Sequence, residues 1–127
     1  MDNVIEYEKK WIAGLNRSDI SVADEVFDKY CDFYLDGSQK PINLEKFKNM
    51  VKKDLDDFHG MKFAIKDQII SGDKNVFRWI AEGTCKENLI QREGIIIDEV
   101  LNGKVVVRWE HSSKKEMMKQ PNPFATG

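Results

Sequence analysis

The chain has 127 residues, a length typical of one domain built around one hydrophobic core. Its 20 basic and 22 acidic residues nearly cancel, which argues against binding to nucleic acid or to an anionic membrane. The two cysteines, Cys31 and Cys85, have no metal-binding spacing and are expected to be reduced residues of the core. Acidic residues near the N-terminus, and the lack of a long apolar run in the sequence, predict a cytoplasmic protein.

The first third of the sequence predicts two helices. Apolar residues recur at three- and four-residue spacing from Asn3 to Leu15, which is typical of an amphipathic helix. Ser21 and Asp24 resemble a capping box that would begin a second helix. The inner face of that helix would consist of Val22, Val26, Phe27 and Tyr30.

A short strand and a third helix come next. The run from Phe33 to Leu35 is bounded by turn residues, and its length predicts an edge strand. Apolar residues then return to helical spacing from about Leu44. His59 and Gly60 are expected to end this third helix.

Beyond Met61 the apolar residues alternate with polar ones, which is the period of a strand. A second long strand is predicted from Val76 to Cys85, followed by a polar connection from Lys86 to Arg92. Two Ile- and Val-rich arms then meet at Asn102-Gly103, residues that readily adopt the positive φ of a tight hairpin turn.

These elements predict an α+β fold in which four long antiparallel strands form a meander. A curved antiparallel or mixed sheet, closed by three helices of the N-terminal half, would make a cone with a pocket at its mouth. We expect residues 1–120 to form this single domain and residues 121–127, rich in turn formers, to be an irregular tail.

Several short motifs, in this order and spacing, resemble the SnoaL-like polyketide cyclases of the nuclear transport factor 2-like superfamily. The resemblance extends from about Trp11 to Gln120. It is carried by Asn16-x-x-Asp19, Gly72-Asp73, Arg78-Trp79, Gly83-Thr84, Asn102-Gly103-Lys104, Trp109 and Met117-Met118-Lys119-Gln120. The resemblance implies a cone-shaped α+β barrel, a deep pocket for a small apolar or aromatic ligand and frequent homodimers.

The sequence departs from the pattern of the cyclising members at two positions. Those members have an acidic residue, usually Asp, four positions after the last-strand tryptophan as the general acid or base, and here that residue is Ser113. A second acid, commonly Glu two positions before the tryptophan, is here Val107. The resemblance therefore implies a ligand-binding protein that lacks the cyclase acid.

His111 is the first titratable candidate for a catalytic role. It has the same strand parity as Val105, Val107 and Trp109, so it is expected to face the side that these apolar residues bury. Histidine titrates near neutral pH and can serve as an acid or base in a pocket. The alternative is a histidine at the end of a strand, bonded to backbone or water.

Asp67 is the second candidate, and its orientation depends on the turn that follows it. An odd-length loop would place it on the face of Trp79, where burial would raise its pKa toward that of a useful base. A two-residue loop would place it beside Arg78 and Glu82, in an ion pair of structural character. Matching apolar faces favours the first arrangement, although His111 would then lie three strands away, too far for a dyad.

The expected ligand contacts are the aromatic and polar residues predicted near the mouth of the cone, Trp79, Trp109, Tyr34, Phe63 and Ser113. No metal or organic cofactor is required. The sequence leaves three functions open: proton-transfer chemistry of the isomerase, lyase or hydratase type, a non-catalytic module that dimerises through its sheet face, and epoxide hydrolysis by an Asp-Arg-Asp set. For the last, Arg78 and Asp67 could belong to the set only if the turn between their strands has two residues, and no second Asp is evident.

Overall fold

The computed structural model describes residues 2–117, with three α-helices, one 3₁₀ turn and five β-strands in that range. The elements are α1 (Asp2–Asn16), the 3₁₀ turn (Ile20–Val22), α2 (Ala23–Val26), β1 (Phe27–Leu35), α3 (Leu44–Asp57), β2 (His59–Ser71), β3 (Lys74–Cys85), β4 (Asn88–Leu101) and β5 (Lys104–Met117). The predicted tail, residues 121–127, lies outside the described residues. No helix of the described range is long and apolar enough to span a membrane.

The five strands form one mixed sheet in the order β1-β5-β4-β3-β2. The predicted meander of β2 to β5 is confirmed, because each of these strands pairs antiparallel with the next. The predicted edge strand is also confirmed, since β1 lies at one edge and pairs parallel with β5. The fold class is therefore α+β with a mixed sheet, as expected from the sequence.

The second helix predicted from the sequence is wrong beyond Val26. The 3₁₀ turn and α2 together span seven residues, Asp19 rather than Ser21 caps the 3₁₀ turn, and β1 begins at Phe27. Phe27 and Phe33 are fully buried, whereas the predicted inner-face residue Tyr30 is 78% exposed. The segment is extended because parallel pairing with β5 buries its large side chains in the core.

The turns of the meander are tighter than the sequence suggested. Asn102 and Gly103 have φ of 53° and 80°, which confirms the predicted hairpin turn. The polar connection predicted from Lys86 to Arg92 is wrong, because Lys86 and Glu87 alone make the turn, also at positive φ. β4 therefore begins at Asn88, and Arg92 belongs to a strand.

Two β-bulges reverse the alternation of side chains and decide which residues face the helices. In β5, Val105 pairs with Val100 but Val107 pairs with Glu99, so one extra residue lies between them. In β2 a register shift separates Ile65, which pairs with Trp79, from Asp67, which pairs with Arg78. Residues beyond each bulge consequently face the side opposite to the one that simple alternation predicts.

The helices cover the concave face of the sheet with an aromatic core. The rings of Phe33 and Phe47 stack with centroids 4.0 Å apart, and Trp11 meets Phe27 edge to face at 5.1 Å. Such pairs stabilise a core by about 0.5–1.5 kcal/mol each beyond the burial of their surface. These contacts hold α1 and α3 over β1, the edge from which the cone begins.

A buried polar network fixes α1 to the middle of the sheet. Arg108 donates from Nε and Nη2 to the carboxylate of Asp98, at 2.8 and 2.7 Å, and both side chains are almost fully buried. The Tyr7 hydroxyl donates to the same carboxylate, and Asn75 joins Tyr7 to Glu8. Burial raises the pKa of Glu8. The network requires α1 to adopt one register on β3, β4 and β5.

Candidate functional site

A cavity lies between the helices and the concave face of the sheet, with a volume of about 130 Å³. Its apolar walls come from both layers, with Trp11, Leu15, Phe47 and Val51 from the helices and Phe63, Phe77, Trp79 and Ile96 from the strands. The partly exposed Met50 and the exposed Asp36 also line it, so the cavity reaches the surface there. The predicted cone therefore contains an apolar space lined by a few polar groups.

Glu110 is the acidic group of β5 that faces this cavity. Its carboxylate accepts a hydrogen bond from Nε1 of Trp79 at 3.1 Å. Burial raises its pKa, and the nearby charge of Asp98 acts in the same direction, while Arg108, Arg92 and the Trp79 hydrogen bond act against the shift. A carboxyl group that lines an apolar cavity and has a raised pKa has the properties of an acid-base group of an active site.

Gly94 makes the contact between Trp79 and Glu110 possible. Gly94 on β4 pairs with Trp79 on β3 and with Ser112 on β5, so the indole must cross β4 to reach Glu110. A Cβ at this position would lie 2.6 Å from Trp79 Nε1 and 2.7 Å from Cε2. A glycine is therefore needed for this close approach, because any larger residue would displace the ring.

An ion pair between α3 and β4 closes one side of the cavity. Arg92 Nη1 donates to Asp54 Oδ2 at 2.9 Å. The guanidinium lies 5.8 Å from the ring centroid of Trp79 and 6.0 Å from that of Phe58. Arg92 Nε is buried and has no hydrogen-bond partner in the described part of the chain. The positively charged guanidinium of Arg92 therefore lies close to the indole ring of Trp79, which also contacts Glu110.

Arg108 lines the cavity as well, but its charge is already neutralised. Both of its hydrogen bonds to Asp98 are directed away from the cavity lining, to which Asp98 does not belong. Asp98 is fully buried and is bonded to Tyr7. An Asp-Arg-Asp set around a cavity water, as epoxide hydrolysis requires, is therefore not formed by these residues.

Two of the ligand contacts predicted from the sequence lie in the cavity. Trp79 and Phe63 both line it, and their ring centroids are 5.8 Å apart. They come from neighbouring strands and form one aromatic wall on the sheet side. Whether a ligand contacts them stays a prediction.

The predicted contacts on β5 and β1 lie on the opposite face. Beyond the β5 bulge, Trp109 and His111 point away from the helices, and Trp109 is 36% exposed. Tyr34 stacks on Trp109 with a centroid distance of 5.9 Å. His111 and Ser113 are exposed and line a shallow groove on this outer face. The predicted orientation of His111 is wrong, because its side chain does not line the cavity. A catalytic role of His111 stays a prediction.

Asp67 also lies outside the cavity, in the arrangement that the apolar matching disfavoured. The loop is two residues long, Gly72-Asp73, and the unbroken register from this turn sets Asp67 opposite Arg78. The bulge between Ile65 and Asp67 turns Asp67 away from the face of the cavity-lining Phe63. Their carboxylate and guanidinium groups are 2.6 Å apart, and the Asp67 side chain is 66% exposed. The structure therefore does not bring Asp67 and His111 together, and any catalytic role of Asp67 stays a prediction.

Sequence reasoning missed Glu110 and Arg92. Strict alternation predicts that Glu110 faces away from the side of Val107 and Trp109, and Arg92 belonged to the predicted polar connection. No local signal in the sequence marks the bulge after Val105, which turns Arg108, Glu110 and Ser112 inward together. No group of three or more His, Cys, Asp or Glu side chains within residues 2–117 is arranged to hold a metal ion.

Known structures of low sequence identity share this fold. IdmH of Streptomyces antibioticus, a proposed polyketide cyclase, aligns over 85% of this chain and 90% of its own with a TM-score of 0.78 and 17% identity. AclR of Streptomyces galilaeus, a proposed hydroxylase, aligns over 85% and 86% with a TM-score of 0.77 and 14% identity. An LEH-like epoxide hydrolase of M. tuberculosis aligns over 88% and 84% with a TM-score of 0.71 and 12% identity. Among curated proteins, no match was found.

The curved sheet closed by helices is thus the α+β fold of these three structures. The chain belongs to the SnoaL-like polyketide cyclase family, whose model matches residues 6–121. The relationship suggested by the sequence motifs is confirmed. Members of this family bind small hydrophobic ligands.

Proposed function

We propose that this protein binds a small apolar or aromatic molecule in the cone and that Glu110 transfers a proton to or from it. The observation that carries the proposal is Glu110 itself, a carboxyl group that lines an apolar cavity, has a pKa raised by burial and is oriented by Trp79. The chemistry would be of the isomerase, lyase or hydratase type. A positioned acid or base typically contributes about 10²–10⁴-fold to such a step.

The cyclase reaction of the family is not part of this proposal. The positions at which cyclising members have their acids are Ser113 and Val107 here, and Ser113 lies in the outer groove. Glu110 lies three residues before Ser113 and enters the cavity because of the β5 bulge. An acid is therefore available in the cavity, at a different position of the same strand.

Deuterium exchange tests the proposal without knowledge of the natural substrate. Single-ring ketones such as cyclohexanone, incubated in D₂O, exchange the hydrogens next to the carbonyl when a base removes a proton, and NMR detects the loss. We expect the protein to accelerate the exchange and Glu110→Gln to abolish the acceleration. Glu82→Gln is the matched control, because Glu82 is exposed on β3 and does not line the cavity.

Two further variants distinguish this proposal from the assignment based on the sequence. If His111→Ala or Asp67→Ala abolished the exchange while Glu110→Gln left it intact, the active group would lie outside the cavity. Equal exchange in the presence and absence of the protein, for every ketone small enough to enter, would count against a catalytic role.

A second candidate function is dimerisation through the outer face of the sheet. Ile95, Ile97 and Trp109 are exposed by 52%, 38% and 36%, and they are neighbours, because Ile97 pairs with Trp109 and Ile95 with His111. A contiguous apolar patch of this kind favours a protein partner. We propose that the protein forms a homodimer through this patch, as the resemblance to the SnoaL-like family implies.

We also propose a cytoplasmic location, which the free cysteines Cys31 and Cys85 favour.

A further inference from the structure

Arg92 has hydrogen-bonding capacity that the protein itself leaves unused. Among the described residues, the arginines that line the cavity are Arg92 and Arg108. Arg108 uses two nitrogens on Asp98, whereas Arg92 uses Nη1 on Asp54 and leaves the buried Nε without an acceptor. A buried donor without a partner is destabilising, and an acceptor supplied by a ligand would relieve that cost once a small rotation of the side chain turned Nε toward the cavity.

Arg92 and Glu110 act on the same part of the cavity. The Arg92 guanidinium lies 5.8 Å from the ring centroid of Trp79, and Glu110 accepts the hydrogen bond of the same indole at 3.1 Å. The positive charge of Arg92 also opposes the rise in the Glu110 pKa, which requires the two groups to be close. A molecule packed against Trp79 therefore has a cation and a carboxyl group beside it.

The size of the cavity limits the ligand. Its volume is about 130 Å³, and an apolar cavity of roughly 150 Å³ is large enough to take up benzene. A single ring is therefore about the largest apolar group that the enclosed part of the cavity takes up, and a substituent would extend toward its mouth. The aromatic wall of Trp79 and Phe63 suits the face of such a ring.

We infer that the ligand is a single-ring compound with an oxygen acceptor, carbonyl or carboxylate, and that Arg92 binds this oxygen while the ring packs on Trp79. The inference rests on the proposed ligand-binding function of the cavity and adds the polar end of the ligand to it. The ion pair with Asp54, which also lines the cavity, holds the guanidinium, so that the arginine is oriented before the ligand arrives.

Three probes of similar shape test the inference: toluene, acetophenone and benzoate. Their dissociation constants are measured by NMR titration, with the indole N–H signal of Trp79 as the reporter of binding in the cavity, assigned by comparison with Trp79→Phe. We expect Arg92→Met to weaken binding of the oxygen-bearing probes by about tenfold or more and to change toluene binding less than about twofold. A loss confined to acetophenone identifies a carbonyl ligand, and a loss that includes benzoate identifies a charged one.

Two variants serve as controls. Arg78→Met removes a guanidinium from the exposed ion pair with Asp67 and should leave all three affinities unchanged. Arg92→Lys keeps a cation beside Asp54 but lacks the Nε donor, so it provides a folded comparison if Arg92→Met is unstable, and acetophenone binding should still weaken.

The outcomes separate this inference from the function on which it rests. If toluene and the oxygen-bearing probes bind the unmodified protein and neither Arg92 variant changes their relative affinities, Arg92 is not the oxygen site, although the cavity still binds ligands. If none of the three probes shifts the Trp79 signal of the unmodified protein, the proposed ligand-binding function fails together with the inference.

Discussion

The indole Nε1 of Trp79 on β3 donates a hydrogen bond across β4 to the carboxylate of Glu110 on β5, 3.1 Å away. Gly94 lies beneath the ring and leaves room for this crossing. The contact joins an aromatic wall of the cavity to the carboxyl group that lines it. Under the proposed function, Trp79 would therefore both orient the acid and contact the ring of the ligand.

Substitution of Gly94 should disrupt this contact directly. In Gly94→Ala the new Cβ would collide with the indole, so we expect Trp79 to shift and the protein to lose about 1–3 kcal/mol of unfolding free energy. Because the lost hydrogen bond lowers the Glu110 pKa, that pKa should rise further. The same substitution in a Trp79→Leu background is the control and should cost much less. An equal cost in both backgrounds would contradict the steric account.

The unfolding free energy should contain a contribution from Glu110 that decreases as the pH rises. Its pKa is raised in the folded protein, so the folded state binds the proton more tightly than the unfolded chain. As the pH rises above the ordinary value of 4.5, ionisation of the buried group becomes a growing cost until the folded pKa is passed. Glu110→Gln lacks this cost.

Denaturant unfolding at a series of pH values measures the effect. The unfolding free energy of Glu110→Gln minus that of the unmodified protein should become more positive from about pH 4.5 upward. Glu8, whose pKa is also raised, is present in both proteins and does not affect the difference. A difference that stays constant or shrinks with rising pH would show that the Glu110 pKa is not raised.

The two Asp-Arg pairs should differ sharply in their contribution to stability. Asp98→Ala leaves the buried Arg108 charge without a partner and should lower the unfolding free energy by about 3–5 kcal/mol. Asp67→Ala removes the equivalent exposed partner of Arg78 and should cost about 0–1 kcal/mol. Urea unfolding of both variants provides the comparison. Similar losses would mean that burial of the Asp98 pair is not what makes it important.

The proposed dimer should depend on the outer apolar patch. Trp109→Lys or Ile95→Lys places a charge in the patch of Ile95, Ile97 and Trp109, and sedimentation velocity should then detect monomers. Ile69→Lys, on the distant strand β2 and 68% exposed, is the control and should leave the dimer intact. An unmodified protein that is monomeric at all concentrations would exclude the homodimer.

The overall fold was predictable because its local signals agree with the final packing. Helical spacing gave α1 and α3, and Asn102-Gly103 with its flanking Ile and Val residues gave the last hairpin. The second helix was mispredicted because the sequence around Phe27 and Tyr30 satisfies helical spacing, whereas the parallel pairing with β5 is a long-range contact. Local patterns contain no information about such a partner.

The site was less predictable than the fold because a single bulge controls it. One extra residue between Val105 and Val107 exchanges the two faces of β5, moving Glu110 inward and His111 outward. The three consecutive valines are compatible with either parity, so the sequence offers no local mark of the bulge. A comparable shift in β2, between Ile65 and Asp67, turns Asp67 away from the face of the cavity-lining Phe63.

Titration of Glu110 in the folded protein is the decisive test of its assignment as the proton-transfer group. Carboxyl ¹³C chemical shifts, followed by NMR over a pH series and assigned with Glu110→Gln, give the pKa of this group. The account predicts a midpoint above the ordinary glutamate value of 4.5 and a change in that midpoint when a cavity ligand such as acetophenone is added. A midpoint at or below 4.5 that does not respond to any cavity ligand would contradict the assignment of Glu110 as the proton-transfer group.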